Sequence, residues 1–168
     1  MSALPPPSEK RASVQRMFDR IAPRYDLMNR LLTGGLDQTW RRRSLAAASV
    51  GPGDRLLDLA CGTGDLSELA AKRGATVIGA DFAREMLRGA RRRGIAAAFV
   101  QGDAESLPLS DASVDVVTCG FALRNFGSLD RALGEIARVL RPGGRIALLD
   151  VDRPRWRLAA AIHSFHFD

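Results

Sequence analysis

The sequence predicts an α/β domain with a doubly wound, mostly parallel sheet under an N-terminal helical lid. Three observations predict it. Short apolar runs alternate with helical stretches between about residues 54 and 152. Such alternation builds parallel sheets whose right-handed crossovers place helices on both faces. Within it, Leu56-Leu57-Asp58-Leu59-Ala60-Cys61-Gly62-Thr63-Gly64-Asp65 reads as an apolar strand entering a tight turn before a helix. Gly62 and Gly64 lack Cβ atoms, so the backbone can turn sharply there and a ligand can come close. A second apolar run, Thr76–Ala80, ends in Asp81, 17 residues after Gly64. That is near the spacing at which an acid meets a ribose diol in nucleotide-binding sheets.

The elements follow in order. Residues 1–9 are rich in proline and polar side chains and are expected to be a disordered tail. Val14, Met17, Phe18 and Ile21 recur at helical spacing over Lys10–Ile21, and Pro23 ends that helix. A second helix is predicted over Tyr25–Leu32 and a third around Trp40 and Leu45, with Gly51-Pro52-Gly53-Asp54 as a turn into the sheet. Strands are then expected at Leu56–Ala60, Val77–Ala80, Ala97–Val100, Val114–Cys119 and Ile146–Leu149. Helices are expected at Leu66–Lys72, Arg84–Arg93 and Leu129–Leu140, the last broken by Arg141-Pro142-Gly143-Gly144. Runs such as Val114-Asp115-Val116-Val117 suit strands buried on both faces. The result is a Rossmann-like order in a single domain over residues 10–168: a helical lid (10–48), a cofactor-binding core (54–152) and the start of a truncated C-terminal part (153–168).

Composition narrows the class. The chain of 168 residues is 46% hydrophobic and 26% charged, ordinary for a soluble globular domain. It has no 18-residue apolar run and no apolar signal core, so a cytoplasmic protein is expected. Cys61 and Cys119 read as reduced residues at strand ends. The net charge is +6, but the positive charge is scattered arginine, with only Lys10 and Lys72 as lysine. Arg41–Arg43 and Arg91–Arg93 are therefore read as solvated helix faces, and nucleic acid is not expected as a partner. His163 and His166, three apart on an apolar stretch, are read as packing or surface residues, so no metal is expected.

Ligands of such sheets sit beyond the carboxyl ends of the strands. Asp58, Asp81 and Asp103 all fall there. Three acids in that order suit a ligand with a cationic amine, a ribose diol and an adenine, which S-adenosylmethionine combines. Asp58 would face the amino-acid end, Asp81 would take the ribose hydroxyls, and Asp103 with the N–H of Ala104 would address the adenine edge. A dinucleotide wants a fuller glycine pattern for its pyrophosphate; here Ala60 and Ser67 stand at the first and third glycine positions.

Four stretches carry a resemblance. Phe18-Asp19-Arg20-Ile21-Ala22-Pro23-Arg24-Tyr25-Asp26-Leu27-Met28-Asn29, the loop Leu57–Asp65, Gly120-Phe121-Ala122-Leu123-Arg124-Asn125 and Arg138-Val139-Leu140-Arg141-Pro142-Gly143-Gly144 resemble the class I S-adenosylmethionine-dependent methyltransferases. More narrowly they resemble the C-methyltransferases of ubiquinone and menaquinone biosynthesis, the demethylmenaquinone methyltransferase family. The resemblance implies cofactor contacts at Thr63, Asp81, Asp103, Ala104 and Gly120, with Gly62 and Gly64 in the loop. It departs at Cys61, where glycine is frequent, and at Asp37, where histidine is common. The family also runs past Asp168 with two more strands, so C-terminal strands are expected to be missing here.

The implied reaction moves a methyl group from the sulfonium to a ring carbon of a prenylated hydroquinone, with carbon, methyl and sulfur held in line at about 3–3.5 Å. Arg124 and Asn125, after the fourth strand, would hold the quinol oxygens, and Tyr25 would add a hydroxyl contact; a bound water would carry the proton. Leu27, Met28, Leu31 and Leu32 would line a channel for the prenyl tail, with transient contact to an anionic membrane surface. The alternatives are a methyltransferase of the same fold acting on RNA or another small molecule, a non-catalytic S-adenosylmethionine-binding relative and, further off, a dinucleotide-dependent reductase. Oligomeric state is not legible in the sequence.

Overall fold

The structure, a computed structural model, describes residues 7–22 and 25–150. Three helices lead: α1 (Pro7–Ile21), α2 (Tyr25–Thr33) and α3 (Leu36–Ala47). Then come β1 (Arg55–Leu59), α4 (Asp65–Ala71), β2 (Thr76–Asp81), α5 (Arg84–Arg92), β3 (Ala97–Gln101), β4 (Val114–Gly120), a 3-10 turn (Leu123–Asn125), α6 (Leu129–Val139) and β5 (Leu140–Leu149). The five strands form one parallel sheet in the order β3-β2-β1-β4-β5. The strand order reverses between β1 and β4, and in such sheets the crevice opens at that point.

The alternation along β1 explains the two layers. Leu57 and Leu59 pack with Val117, Cys119, Ile136 and Val139 on the α6 side, whereas Leu56 packs with Leu45, Leu66, Val77 and Val116 on the α3–α4 side. Successive side chains of a strand point to opposite faces. A strand apolar at consecutive positions is therefore one covered on both faces.

Two local features differ from the sequence reading. Helix α1 starts at Pro7, three residues inside the predicted disordered tail. Proline suits the first helical position, where its missing N–H is unneeded and its φ is already helical. The Arg141-Pro142-Gly143-Gly144 turn does not precede the last strand but lies inside β5, where the pairing shifts from Val114 with Leu140 to Val116 with Arg145. Proline is tolerated in an edge strand at such an irregularity. The apolar stretch with His163 and His166 lies outside the described residues, as does the whole segment from 153.

The lid is tied down by polar contacts. Ala83 at the start of α5 offers no side-chain cap; Asp19 of α1 accepts from Glu85 N at 3.0 Å instead. Gln15 Nε2 donates to Phe82 O at 3.2 Å. Thus α1 closes over the residues that follow Asp81. At the far end of the lid, Arg145 of β5 donates to Ala48 O and Ser49 O at 2.9 and 3.0 Å and pairs with Asp54.

Candidate functional site

Two adjoining hollows open at the carboxyl ends of the strands. The first, about 410 Å³, is lined by Asp81, Gly102, Asp103, Ala104 and Glu105. The second, about 430 Å³, is lined by Phe18, Tyr25, Gly62, Met86, Gly120 and Phe121. They share Ala60, Asp81, Phe82, Asn125 and Phe126. Each has mostly apolar walls with few polar groups, as small-molecule sites do.

Asp81 stands where the hollows meet. Its Oδ2 accepts from Gly62 N and its Oδ1 from Ala83 N, both at 2.8 Å. A carboxylate has about four acceptor sites, so acceptor capacity remains for a ligand. Burial pushes the Asp81 carboxyl up to about 6, against the backbone N–H bonds of Ala83, Gly62 and Phe82 that lower it. Asp103 is half-buried, and its Oδ1 accepts from Glu105 N at 2.9 Å. Beside it, Ala104 is buried and lines the first hollow. Asp81, Asp103, Ala104, Gly62, Gly120, Tyr25 and Asn125, all singled out in the sequence, are thus brought to one concavity.

Asp58 is a correction. It lines neither hollow and is 1% exposed. Ser67 Oγ donates to its Oδ2 at 2.6 Å and Thr118 Oγ1 to its Oδ1 at 3.1 Å. Burial raises its carboxyl to about 6, offset by those bonds and by the charge of Arg41. It braces β1, α4 and β4 from inside instead of facing an amine. Ser67 also explains the broken glycine pattern: the third glycine position holds the hydroxyl that satisfies this buried acid.

Thr63 and Gly64 shape the loop from behind, for neither lines a hollow. At Gly64, φ is +88°, and a Cβ would come 2.7 Å from Ile95 Cδ1. Only glycine meets both conditions. The helix that follows does not present its N-terminus to an anion. Its first turn carries Asp65 and Glu68, and Arg93 donates to Asp65 Oδ1 at 2.7 Å and to Thr63 O at 3.0 Å while pairing with Glu68. Two acids at that helix end disfavour a pyrophosphate.

Arg124 is a second correction. It is exposed on the 3-10 turn and lines neither hollow, whereas its neighbour Asn125 lines both. The arginine runs need correcting too. Arg42, Arg43, Arg91 and Arg92 are exposed, but Arg93 is half-buried and Arg41 is buried. The aromatic walls escaped the sequence reading. Phe121 lies in the 120–125 motif, whose chemistry the residue types place at its polar end, Arg124-Asn125. Ala60 and Phe121, which directly follow β1 and β4, are non-glycine residues with φ of +53° and +61°. Strained backbone of this kind gathers at ligand sites. The side chain of Leu27 is not described; Met28, Leu31 and Leu32 are exposed and line neither hollow.

The donor set fits an adenosyl sulfonium. An acid with acceptor capacity to spare suits a ribose diol, and aromatic faces suit a cation. At Gly120, Leu66 Cδ1 lies 2.9 Å from where a Cβ would stand, so a side chain there would displace Leu66.

Sheet order, glycine turn and β2 acid place the chain among nucleoside-binding α/β domains. The crystal structure of an S-adenosylmethionine-dependent methyltransferase from Mesorhizobium loti shares the fold at 30% identity and a TM-score of 0.58, over 63% of this chain and 51% of that one. The chain belongs to the ubiE/COQ5 methyltransferase family, whose profile matches residues 7–167. A demethylmenaquinone methyltransferase of Thermus thermophilus is 50% identical over 82% of this chain and 66% of its own length. Another, of Roseiflexus, is 45% identical over 99% of this chain and 71% of its own length. The chain therefore spans about two thirds of the length of the curated relatives it matches.

The Asp81 carboxyl sets a pH dependence. A diol donates to the ionised form, so affinity for adenosyl ligands is expected to hold above about pH 7 and to fall close to tenfold per unit below about pH 6. Stability moves the other way. Asp58 and Asp81 are raised from 3.8 to about 6, so the stabilisation they give when protonated is full below 3.8 and is lost as pH rises through 6. Calorimetric titrations and melting curves over the same pH series separate the two.

Proposed function

We propose that the protein binds S-adenosylmethionine across the two hollows and transfers its methyl group to a ring carbon of a prenylated hydroquinone of the demethylmenaquinol type. The observation that carries this reading is the position of Asp81. It stands between a hollow edged by Asp103, Ala104 and Glu105 and a hollow walled by Phe18, Tyr25 and Phe121. The family and the names of the relatives support the chemistry.

Bound S-adenosylmethionine supplies an electrophilic methyl group on a sulfonium. The chain does the rest by holding and excluding. Asp81 holds the ribose through charge-assisted bonds, and Asp103 with the N–H of Ala104 meets the adenine edge. Phe18, Phe121 and Phe126 give flat apolar walls on which a quinol ring can lie, and they keep water from a step in which charge disperses. Phe18 and Tyr25 pack edge to face with centroids 5.9 Å apart, which fixes the lid wall. The Asn125 amide and the Tyr25 hydroxyl orient the quinol oxygens. The phenolic proton that must leave before the carbon attacks passes to water. Exposed Met28, Leu31 and Leu32 on α2, with exposed Arg16, Arg20 and Arg30 close in sequence, supply the contact with an anionic membrane surface where such a substrate resides.

The test is methyl transfer from labelled S-adenosylmethionine to a demethylmenaquinol, with tRNA as the rival acceptor. The quinol is expected to be methylated and tRNA left unlabelled; the reverse would overturn the reading. Asn125→Ala is expected to lower kcat on the quinol about a hundredfold, with S-adenosylmethionine affinity within about threefold of wild type.

A further inference from the structure

The correction at Asp58 leaves the amino-acid end of the adenosyl ligand without a partner. A buried cation, Arg41, abuts the second hollow at Gly120 and Phe121. The Arg41 side chain is 8% exposed. Its Nε stands 3.6 Å from Asp37 Oδ2 and 3.8 Å from Asp65 Oδ2, too far for a hydrogen bond, and has no hydrogen-bond partner among the described residues.

The reason is that both carboxylates are already engaged. Asp37 accepts from Thr33 Oγ1 and from Gln38 Nε2, each at 3.1 Å. Asp65 accepts from Arg93 Nη1 at 2.7 Å and from Gln38 Nε2 at 3.0 Å. They hold the guanidinium in place by charge while leaving its Nε unspent among the described residues. Its far side faces the site. The guanidinium carbon lies 5.0 Å from the centroid of the Phe121 ring, and Nη1 lies 3.3 Å from where a Cβ at Gly120 would stand. Gly120 and Phe121 both line the second hollow. Arg41 itself lines neither hollow, and Gly120 is the residue of the second that lies next to Nη1.

Taking the adenosyl reading of the previous subsection as its basis, we infer that Arg41 receives the ligand's carboxylate past Gly120. The fork of N–H donors suits a carboxylate. The two carboxylates beside Arg41, Asp37 and Asp65, suit a head that also carries an ammonium and a sulfonium. They would repel a plain anion. Arg41 thereby discriminates ligands by their amino-acid end.

Calorimetry on the full chain tests this with two ligands that differ by the carboxylate alone, S-adenosylmethionine and its decarboxylated form. Wild type is expected to bind the first at least tenfold more tightly; equal affinities would overturn the inference without use of any variant. In Arg41→Gln both ligands are expected to bind within about twofold of each other. A ratio unchanged from wild type would overturn the inference, because a merely structural role weakens both alike. Arg41→Lys, which keeps the charge and loses the fork, is expected to give a ratio in between, and it serves should the Gln variant not fold. Failure of wild type to bind either ligand would instead sink the adenosyl reading, a result distinct from equal binding.

Discussion

Asp81→Ala is expected to weaken S-adenosylmethionine binding by at least about a hundredfold. Hydrogen bonds to a charged group contribute about 1.5–3 kcal/mol each, and a carboxylate on a ribose diol makes two. Their loss together corresponds to two or more powers of ten in Kd. Part of the effect runs through the loop, because Gly62 N and Ala83 N lose their shared acceptor. Asp81→Asn separates the contributions: one oxygen survives and the charge does not, so about a tenfold loss is expected. Titration calorimetry reads both, and a change of less than about threefold in the alanine variant would remove Asp81 from the site.

Leu57→Ala is expected to cost about 3–5 kcal/mol of stability. Leu57 is fully buried at the centre of the sheet, paired with Ile78 on one side and Val117 on the other. Truncating such a leucine loses transfer free energy and leaves a cavity that dense neighbours do not fill. That is a large share of the about 5–15 kcal/mol that holds a domain folded. Leu31→Ala, at a residue 72% exposed, is the control and is expected to change stability by less than about 0.5 kcal/mol. Urea unfolding measures both, and a loss below about 1 kcal/mol at Leu57 would contradict the assignment of β1 to the sheet centre.

Much of the fold was legible because burial on both faces leaves a local mark. Consecutive apolar residues at Leu56-Leu57 and Val116-Val117 imply covered strands whatever their neighbours are. The acid at the end of β2 was legible for a similar reason, since spacing from the glycine turn places it. Asp58 shows the limit. Its type and its place in a strand suggested a ligand contact, but its role depends on Ser67 and Thr118, which only the packed sheet brings to it. Arg41 shows the same limit in reverse. Three arginines in a row on a helix read as solvated, and only the rotation of α3 against α4 decides that the first is buried and the other two are not. Arg124 looked like the chemical part of its motif, yet the 3-10 turn directs its neighbours Asn125 and Phe126 inward. Backbone strain at Ala60 and Phe121 leaves no trace in residue type at all.

The central claim is that one adenosyl ligand spans both hollows with Asp81 at its ribose. A crystal structure of the protein with S-adenosylhomocysteine tests it most directly. The claim predicts both ribose hydroxyls at about 2.7 Å from the Asp81 carboxylate, the adenine beside Ala104 and the sulfur over Gly62. A ligand seated elsewhere on the sheet, or an Asp81 carboxylate turned away from the ribose, would contradict it.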